Sequence, residues 1–195
     1  MRAGECFHAL KVPPGTFIVV RVDGRSFSRL TERLTEKPFD TGFHEHMLAA
    51  ATGLLETLGA SFAYTESDEI SVLLPRASAL FDREVEKLVS IASARAAAVM
   101  SIRLGEPVEF DARLWVGAQE QDVVDYFRWR QNDCGRCALN GWCYWTLRRE
   151  GKSVREATAM LDGVTVAEKN ELLHTRGVSF AKVPAWQRRG AARCV

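Results

Sequence analysis

The stretch Thr16–Val22, TFIVVRV, restricts the fold more than any other segment of this chain. Its β-branched residues follow Pro13-Pro14-Gly15 and stop at Asp23-Gly24, so it reads as a buried strand that needs neighbours on the sheet. Later segments supply them. From Phe43 to Leu58 the residues Phe43, Met47, Ala50, Ala51, Leu54, Leu55 and Leu58 fall on one helical face, closed by Gly59. Ser61–Tyr64 and Glu69–Leu74, with Ile70, Val72 and Leu74 alternating, make a hairpin whose tip carries Glu66 and Asp68. Phe81–Ile102 reads as a long helix ended by Gly105 and Pro107, and Val108–Val116 as a further strand.

The order β-α-β-β-α-β predicts a ferredoxin-like split βαβ arrangement of the α+β class, an antiparallel sheet with helices on one face and the first strand central. The remainder reads as helical. Gln119–Arg149 is one long or broken helix, and Ser153 with Glu156 and Thr165 with Glu168 match capping boxes for two short helices. The tail from Val178 is basic, short and extended. A sheet-bearing unit over 1–118 and a helical part packed on it over 119–195 are therefore expected.

A chain of 195 residues, 47% hydrophobic and 26% charged, has enough apolar material to fold without disulfide or metal staples. No apolar run approaches a bilayer span, and MRAGECFHALKVPP lacks the apolar core of a secretory leader. Five Cys, an odd number, in a chain that does not need them imply a reducing, cytoplasmic setting. Net charge is only +1, but its distribution is uneven. Glu66–Asp125 holds twelve acidic and six basic residues, Arg128–Arg155 seven basic and two acidic, and Lys169–Val195 six basic and one acidic. An acidic middle and a basic last third suggest cations in one place and a polyanion in another.

Asp23 ends the buried strand and Asp68 stands at the hairpin tip, so this topology brings two carboxylates to one sheet edge. Hard oxygen ligands on adjacent strands suit Mg²⁺, and a pair of such ions can clamp an in-line phosphoryl transfer. Gly24 would let a backbone carbonyl approach the ion. The bland alternative is that Asp-Gly and Ser-Asp are ordinary turn residues. Asp23-Gly24-Arg25-Ser26-Phe27-Ser28 leaves a strand for a helical stretch whose exposed N–H groups could cradle a triphosphate, or could simply cap the turn. Lys37, Asp40, Arg83 and Lys87 could neutralise polyphosphate or be solvated. Cys134 and Cys137 form a CxxC without a second pair, for which packing on a helix is the default reading. Tyr126, Phe127, Trp129, Trp142, Tyr144 and Trp145 alternate with Arg128, Arg130, Arg136, Arg148 and Arg149, a mixture read as buried aromatics with Arg along a polyanion-binding face.

Several strings resemble, in order and across nearly the whole chain, the tRNA-histidine guanylyltransferase family: IVVRVDGRSF, EKPFD, FAYTESDEISVLL, FDREVEKL, FDARLWV, YFRWRQNDC, ALNGWCYWTL, TVAEKNELL and PAWQRRG. The resemblance implies a polymerase-like palm with a helical C-terminal part, assembled as a homotetramer. It implies two Mg²⁺ ions on Asp23, Asp68 and the carbonyl of Gly24, and nucleotide binding by Asp23–Ser28 (Asp23, Gly24, Arg25, Ser26, Phe27, Ser28) and by Ser67-Asp68. It places Arg21, Lys37, Asp40 and Lys87 at an activation site, and Arg130, Lys169 and Asn170 in triphosphate or tRNA contacts. The implied reaction uses ATP and GTP, or another nucleoside triphosphate, to add nucleotides in the 3′–5′ direction to tRNA 5′ ends. After Asp133-Cys134 the family's guanylyltransferase branch shows a His-Ile-Asn-Asn-Leu-Tyr-Asn string, where this chain has Gly135-Arg136-Cys137-Ala138-Leu139-Asn140-Gly141. That departure favours the relatives that rebuild truncated tRNA 5′ ends by templated repair. Non-templated guanine addition to tRNA-His, or a catalytically silent RNA-binding palm, stay as alternatives.

Overall fold

The computed structural model describes residues 4–33 and 36–194. Its strands are β1 (Phe17–Gly24), β2 (Phe62–Glu66), β3 (Glu69–Leu74), β4 (Phe110–Gly117) and β5 (Ala191–Cys194). They form one antiparallel sheet in the order β4-β1-β3-β2-β5. The helices are α1 (Phe27–Glu32), α2 (Thr41–Leu58), α3 (Val85–Leu104), α4 (Glu120–Arg149), α5 (Val154–Leu161), α6 (Val166–His174) and α7 (Ala185–Arg189). The first four strands stand as the βαββαβ order requires, with β1 central between β4 and β3.

Strand alternation divides the sheet into two chemically different faces. Ile18, Val20 and Val22 of β1 and Ile70, Val72 and Leu74 of β3 are buried against Leu54 and Leu58 of α2 and Leu88, Ala92 and Ala96 of α3. The intervening residues Val19, Arg21, Asp23, Glu69 and Ser71 therefore turn the other way. The sequence pattern implies helices on one face only; α4 instead crosses the second face, where the Tyr126 and Ser71 hydroxyls lie 2.9 Å apart. α4 is also continuous, begun by a capping box between Gln119 and Asp122. Its far half holds a second core, Leu139, Cys143 and Leu147 with Ala157, Leu161 and Leu173 of α5 and α6. Both expected capping boxes form: the amide of Glu156 donates to Ser153 Oγ at 3.2 Å, and that of Glu168 to Thr165 Oγ1 at 3.3 Å.

Three differences from the sequence reading bear on the site and its packing. β2 extends to Glu66, because Thr65 and Glu66 pair with Ile70 and Glu69 and leave a two-residue tip, Ser67-Asp68. The helix expected from Phe81 begins only at Val85. Phe81, Asp82 and Arg83 take left-handed conformations with φ of 51°, 53° and 59°. The buried Arg83 guanidinium holds that turn by donating to the carbonyls of Val12, Ser78 and Thr16 at 3.2, 2.9 and 2.9 Å. The tail is not merely extended: α7 packs on α4, and β5 adds a fifth strand beside β2. Among the described residues no helix is long and apolar enough to cross a membrane.

Candidate active site

The sheet register builds the site. Asp23 lies opposite Glu69 on β3 and opposite Asp111 on β4, so three carboxylates form a row across the face that α4 crosses. The hairpin tip closes onto β1 where the amide of Gly24 donates to the carbonyl of Asp68 at 3.1 Å. Burial and the neighbouring charge of Asp111 push the Asp23 carboxyl above its ordinary range, against the pull of Arg113, Arg21 and Arg130. Burial, together with the charge of Asp23, does the same to Asp68. Among the described residues neither carboxylate has an ion-pair partner, and no cluster of three or more His, Cys, Asp or Glu is arranged to hold a metal. Two half-buried carboxylates that form no ion pair among the described residues fit a hard divalent cation that takes its remaining ligands from water or substrate phosphate.

The turn after β1 is tight for a packing reason. A Cβ on Gly24 would stand 2.4 Å from the Phe27 ring. Phe27 is itself a core residue, 5.0 Å from the Phe110 ring, so its side chain is not available to a nucleotide. Ser26 at φ 61° and Ser67 at φ 48° are left-handed without being glycine, one on each side of the carboxylate pair. Such conformations cost energy and persist where surrounding structure imposes them. Arg25 is exposed and pairs with Glu109 at 2.8 Å, and Ser28 is exposed beside it.

A cleft adjoins the hairpin, lined by Lys37, Asp40, His44, Glu66, Ser67, Cys134, Trp186 and Gln187. His44 stacks on Trp186 with ring centroids 4.1 Å apart, and Phe39 meets the same indole edge-on. Lys37 lies 5.1 Å from the Trp145 ring and donates to the carbonyl of Thr31. Asp40 caps α2, its Oδ1 accepting from the amide of Phe43 at 2.8 Å. Burial raises Glu66 to about 7 and the thiol of Cys134 to about 12.

The tRNAHis guanylyltransferase family model matches residues 1–127, and the model of its C-terminal domain matches 121–194. The chain belongs to this family. It is 33% identical over 191 residues to tRNA(His) guanylyltransferase 2 of Arabidopsis thaliana, covering 92% of this chain and 36% of that one. It thus spans about a third of the length of that relative. The fold matches the crystal structure of tRNA(His) guanylyltransferase from Saccharomyces cerevisiae with a TM-score of 0.89, 24% identity, and coverage of 99% and 91%. A bacterial guanylyltransferase-like protein in complex with GTP matches at TM-score 0.80, 26% identity, and coverage of 99% and 81%.

Within this family member, the residues singled out from sequence are not all brought together. Arg21 reaches the carboxylate row, 3.6 Å from Glu69 and 5.7 Å from the Trp129 ring, with its buried Nε otherwise unpartnered. Lys87 does not reach it within one chain. β3 runs away from the hairpin, α3 begins at the opposite sheet end, and Lys87 pairs there with Glu84 at 3.0 Å. Its separation from the carboxylates along α3 is on the order of 25 Å at 1.5 Å per residue. Arg130, expected on a polyanion-binding face, is buried in an ion-pair cluster with Glu66 and Glu69. Lys169 and Asn170 lie on α6, away from the hairpin, where Asn170 donates to the carbonyl of Val166 at 2.8 Å. Glu66, Glu69 and Asp111 were missed as site residues. The period-2 alternation of DEISVLL puts Glu69 on a face opposite Ile70, but only the register with β1 shows that Asp23 shares it.

Proposed function

We propose that this chain is a Mg²⁺-dependent nucleotidyltransferase that adds nucleotides in the 3′–5′ direction to tRNA 5′ ends, repairing truncated ends against the opposing strand. The observation that carries the reading is the pair Asp23 and Asp68, neighbours across the strand end and hairpin tip that form no ion pair among the described residues, in a member of this family. Bound there, Mg²⁺ supplies charge neutralisation at phosphoryl oxygens. Asp23, Asp68 and the carbonyl of Gly24 would hold two such ions. The segment Asp23–Ser28 and the Ser67-Asp68 tip receive the triphosphate. The adjoining cleft, with its His44–Trp186 stack, Lys37 and Asp40, offers a flat aromatic surface, a cation and a carboxylate to a purine nucleotide.

The reaction runs in three transfers. A 5′-phosphate oxygen of the tRNA attacks the α-phosphorus of ATP, and pyrophosphate leaves. The 3′-hydroxyl of the incoming nucleoside triphosphate attacks the activated 5′-phosphate, and AMP leaves. Water then removes pyrophosphate from the added nucleotide. Each transfer needs in-line placement more than covalent help from the protein. The unpaired cations of the 119–194 part suit the tRNA backbone. A homotetramer remains part of the proposal.

The test uses two 5′-monophosphorylated transcripts with ATP, Mg²⁺ and one labelled nucleotide at a time. One is tRNA-His without its extra 5′ guanine; the other lacks its first nucleotide and has the opposing base varied. Templated repair predicts that the added base follows the opposing base. Guanine added only to tRNA-His, whatever stands opposite, would establish the guanylyltransferase alternative. Binding without any addition would establish the silent module.

A further inference from the structure

Arg130 comes to the site from α4, 61 residues beyond Glu69 and 64 beyond Glu66. Its Nε donates to Glu69 Oε1 at 2.7 Å and its Nη2 to Glu69 Oε2 at 3.0 Å, a two-pronged grip; Nη2 also reaches Glu66 Oε1 at 2.5 Å. Glu66 and Glu69 are the register pair that closes the hairpin, so only Ser67 and Asp68 lie between them. All three side chains are about nine-tenths buried, with exposures of 8%, 8% and 10%. The Trp129 ring lies 4.6 Å from the guanidinium, and Asp133 Oδ2 3.4 Å from Nη2.

A buried ion cluster is a poor way to gain net stability, because desolvation offsets the attraction and an apolar trio of similar volume would join α4 to the sheet as well. A planar guanidinium fork does supply fixed geometry on both strands flanking Asp68. The Gly24 amide then ties the tip to β1, and so to Asp23. We propose that Arg130 is a positioning residue: by clamping Glu66 and Glu69 it fixes the Ser67-Asp68 tip so that Asp68 stands beside Asp23 ready for a divalent cation. The helical C-terminal part thereby sets the geometry of a site built on the sheet. This inference rests on the reading of Asp23 and Asp68 as cation ligands.

The test uses the full chain and Mn²⁺ alone as the probe, with free ion followed by electron paramagnetic resonance and each variant's melting recorded. Arg130→Lys keeps the charge and loses the fork. It is expected to fold and to bind Mn²⁺ at least ~10-fold more weakly, the size of effect seen when outer partners of metal ligands are removed. Glu66→Gln removes one arm and is expected to weaken binding by a few-fold. Nucleotide addition by Arg130→Lys should recover as Mg²⁺ is raised, with KM for tRNA unchanged. A folded Arg130→Lys that binds Mn²⁺ as well as or better than wild type overturns the positioning role and leaves the reading of the carboxylates intact. Should Arg130→Lys not fold, Glu66→Gln decides by the same criterion: wild-type-like binding overturns the role. A wild type that binds no Mn²⁺ overturns the carboxylate reading and the positioning role with it.

Discussion

Asp68 sits in a half-buried tip next to Asp23, and burial together with the charge of Asp23 makes it harder to ionise. Its folded-state pKa lies above that of the unfolded chain, so the folded state binds its proton more tightly. The stability this contributes is full below the unfolded value of 3.8 and is lost as pH rises through the folded pKa. Asp68→Asn removes that cost at neutral pH, so the variant should melt at or above the wild-type temperature while nucleotide addition falls at least ~10²-fold. Differential scanning fluorimetry beside a single-turnover assay checks both. That Asp23 and Asp68 come to one sheet edge was legible from sequence, because turns and strand ends leave marks in residue order, while residue order alone left an ordinary turn open as the alternative. Arg130 was not. An Arg among aromatics on a helix reads as facing a polyanion, and the partners that bury this one lie more than sixty residues away on strands whose register no local pattern reveals.

At the scale of elements, the tail shows where sequence patterning fails. Ala191–Cys194 has no alternation of apolar and polar residues, and becomes a strand only because the edge of β2 is there to pair with it. Its entry depends on Gly190, at φ 69° and ψ −170°, where a Cβ would stand 2.6 Å from the carbonyl oxygen of Thr65. Gly190→Ala should therefore detach β5 and α7, lowering stability by about 1–3 kcal/mol in chemical denaturation and raising hydrogen exchange at Tyr64 and Thr65. The α7 docking also carries a pH signature. Burial lowers the pKa of His44, stacked on Trp186, below its ordinary 6.5, so the neutral ring is the one the fold accommodates. A depressed His contributes stability that is present above the unfolded value and lost as pH falls below it. Stability should decline as pH falls below about 6.5 in the wild type and decline less in His44→Gln, with Trp186 fluorescence as the local reporter. The helices were the legible part: both capping boxes and the α2 apolar face carried through. The left-handed turn at Phe81–Arg83 did not, since its cause is a buried guanidinium bonded to carbonyls far off in sequence.

For the whole molecule, charge separates two roles. Thirteen Lys and Arg lie between Arg128 and Arg193, and among the described residues nine of them, including Arg148, Arg149, Lys152 and Arg155, form no ion pair. Among the described residues between Lys11 and Arg113, five of twelve Lys and Arg form no ion pair. An acidic site on a sheet, with free cations on the helical part, suits a substrate whose backbone is held by one part and whose end is worked on by the other. Replacing Lys152 and Arg155 together by Glu should weaken tRNA binding ~10-fold or more. It should also flatten the plot of log affinity against log salt by about 0.7–0.9 for each phosphate that the variant no longer neutralises. Filter binding over a salt series reads both.

The measurement that bears most directly on the whole account is transfer of label from α-labelled ATP to a 5′-monophosphorylated tRNA lacking its first nucleotide, in Mg²⁺, by wild type, Asp23→Asn and Asp68→Asn. The account predicts label on the RNA 5′ end with the wild type and a loss of at least ~10²-fold in both variants, each still folded. A folded wild type that transfers nothing to RNA, or variants that transfer within a few-fold of it, would contradict it.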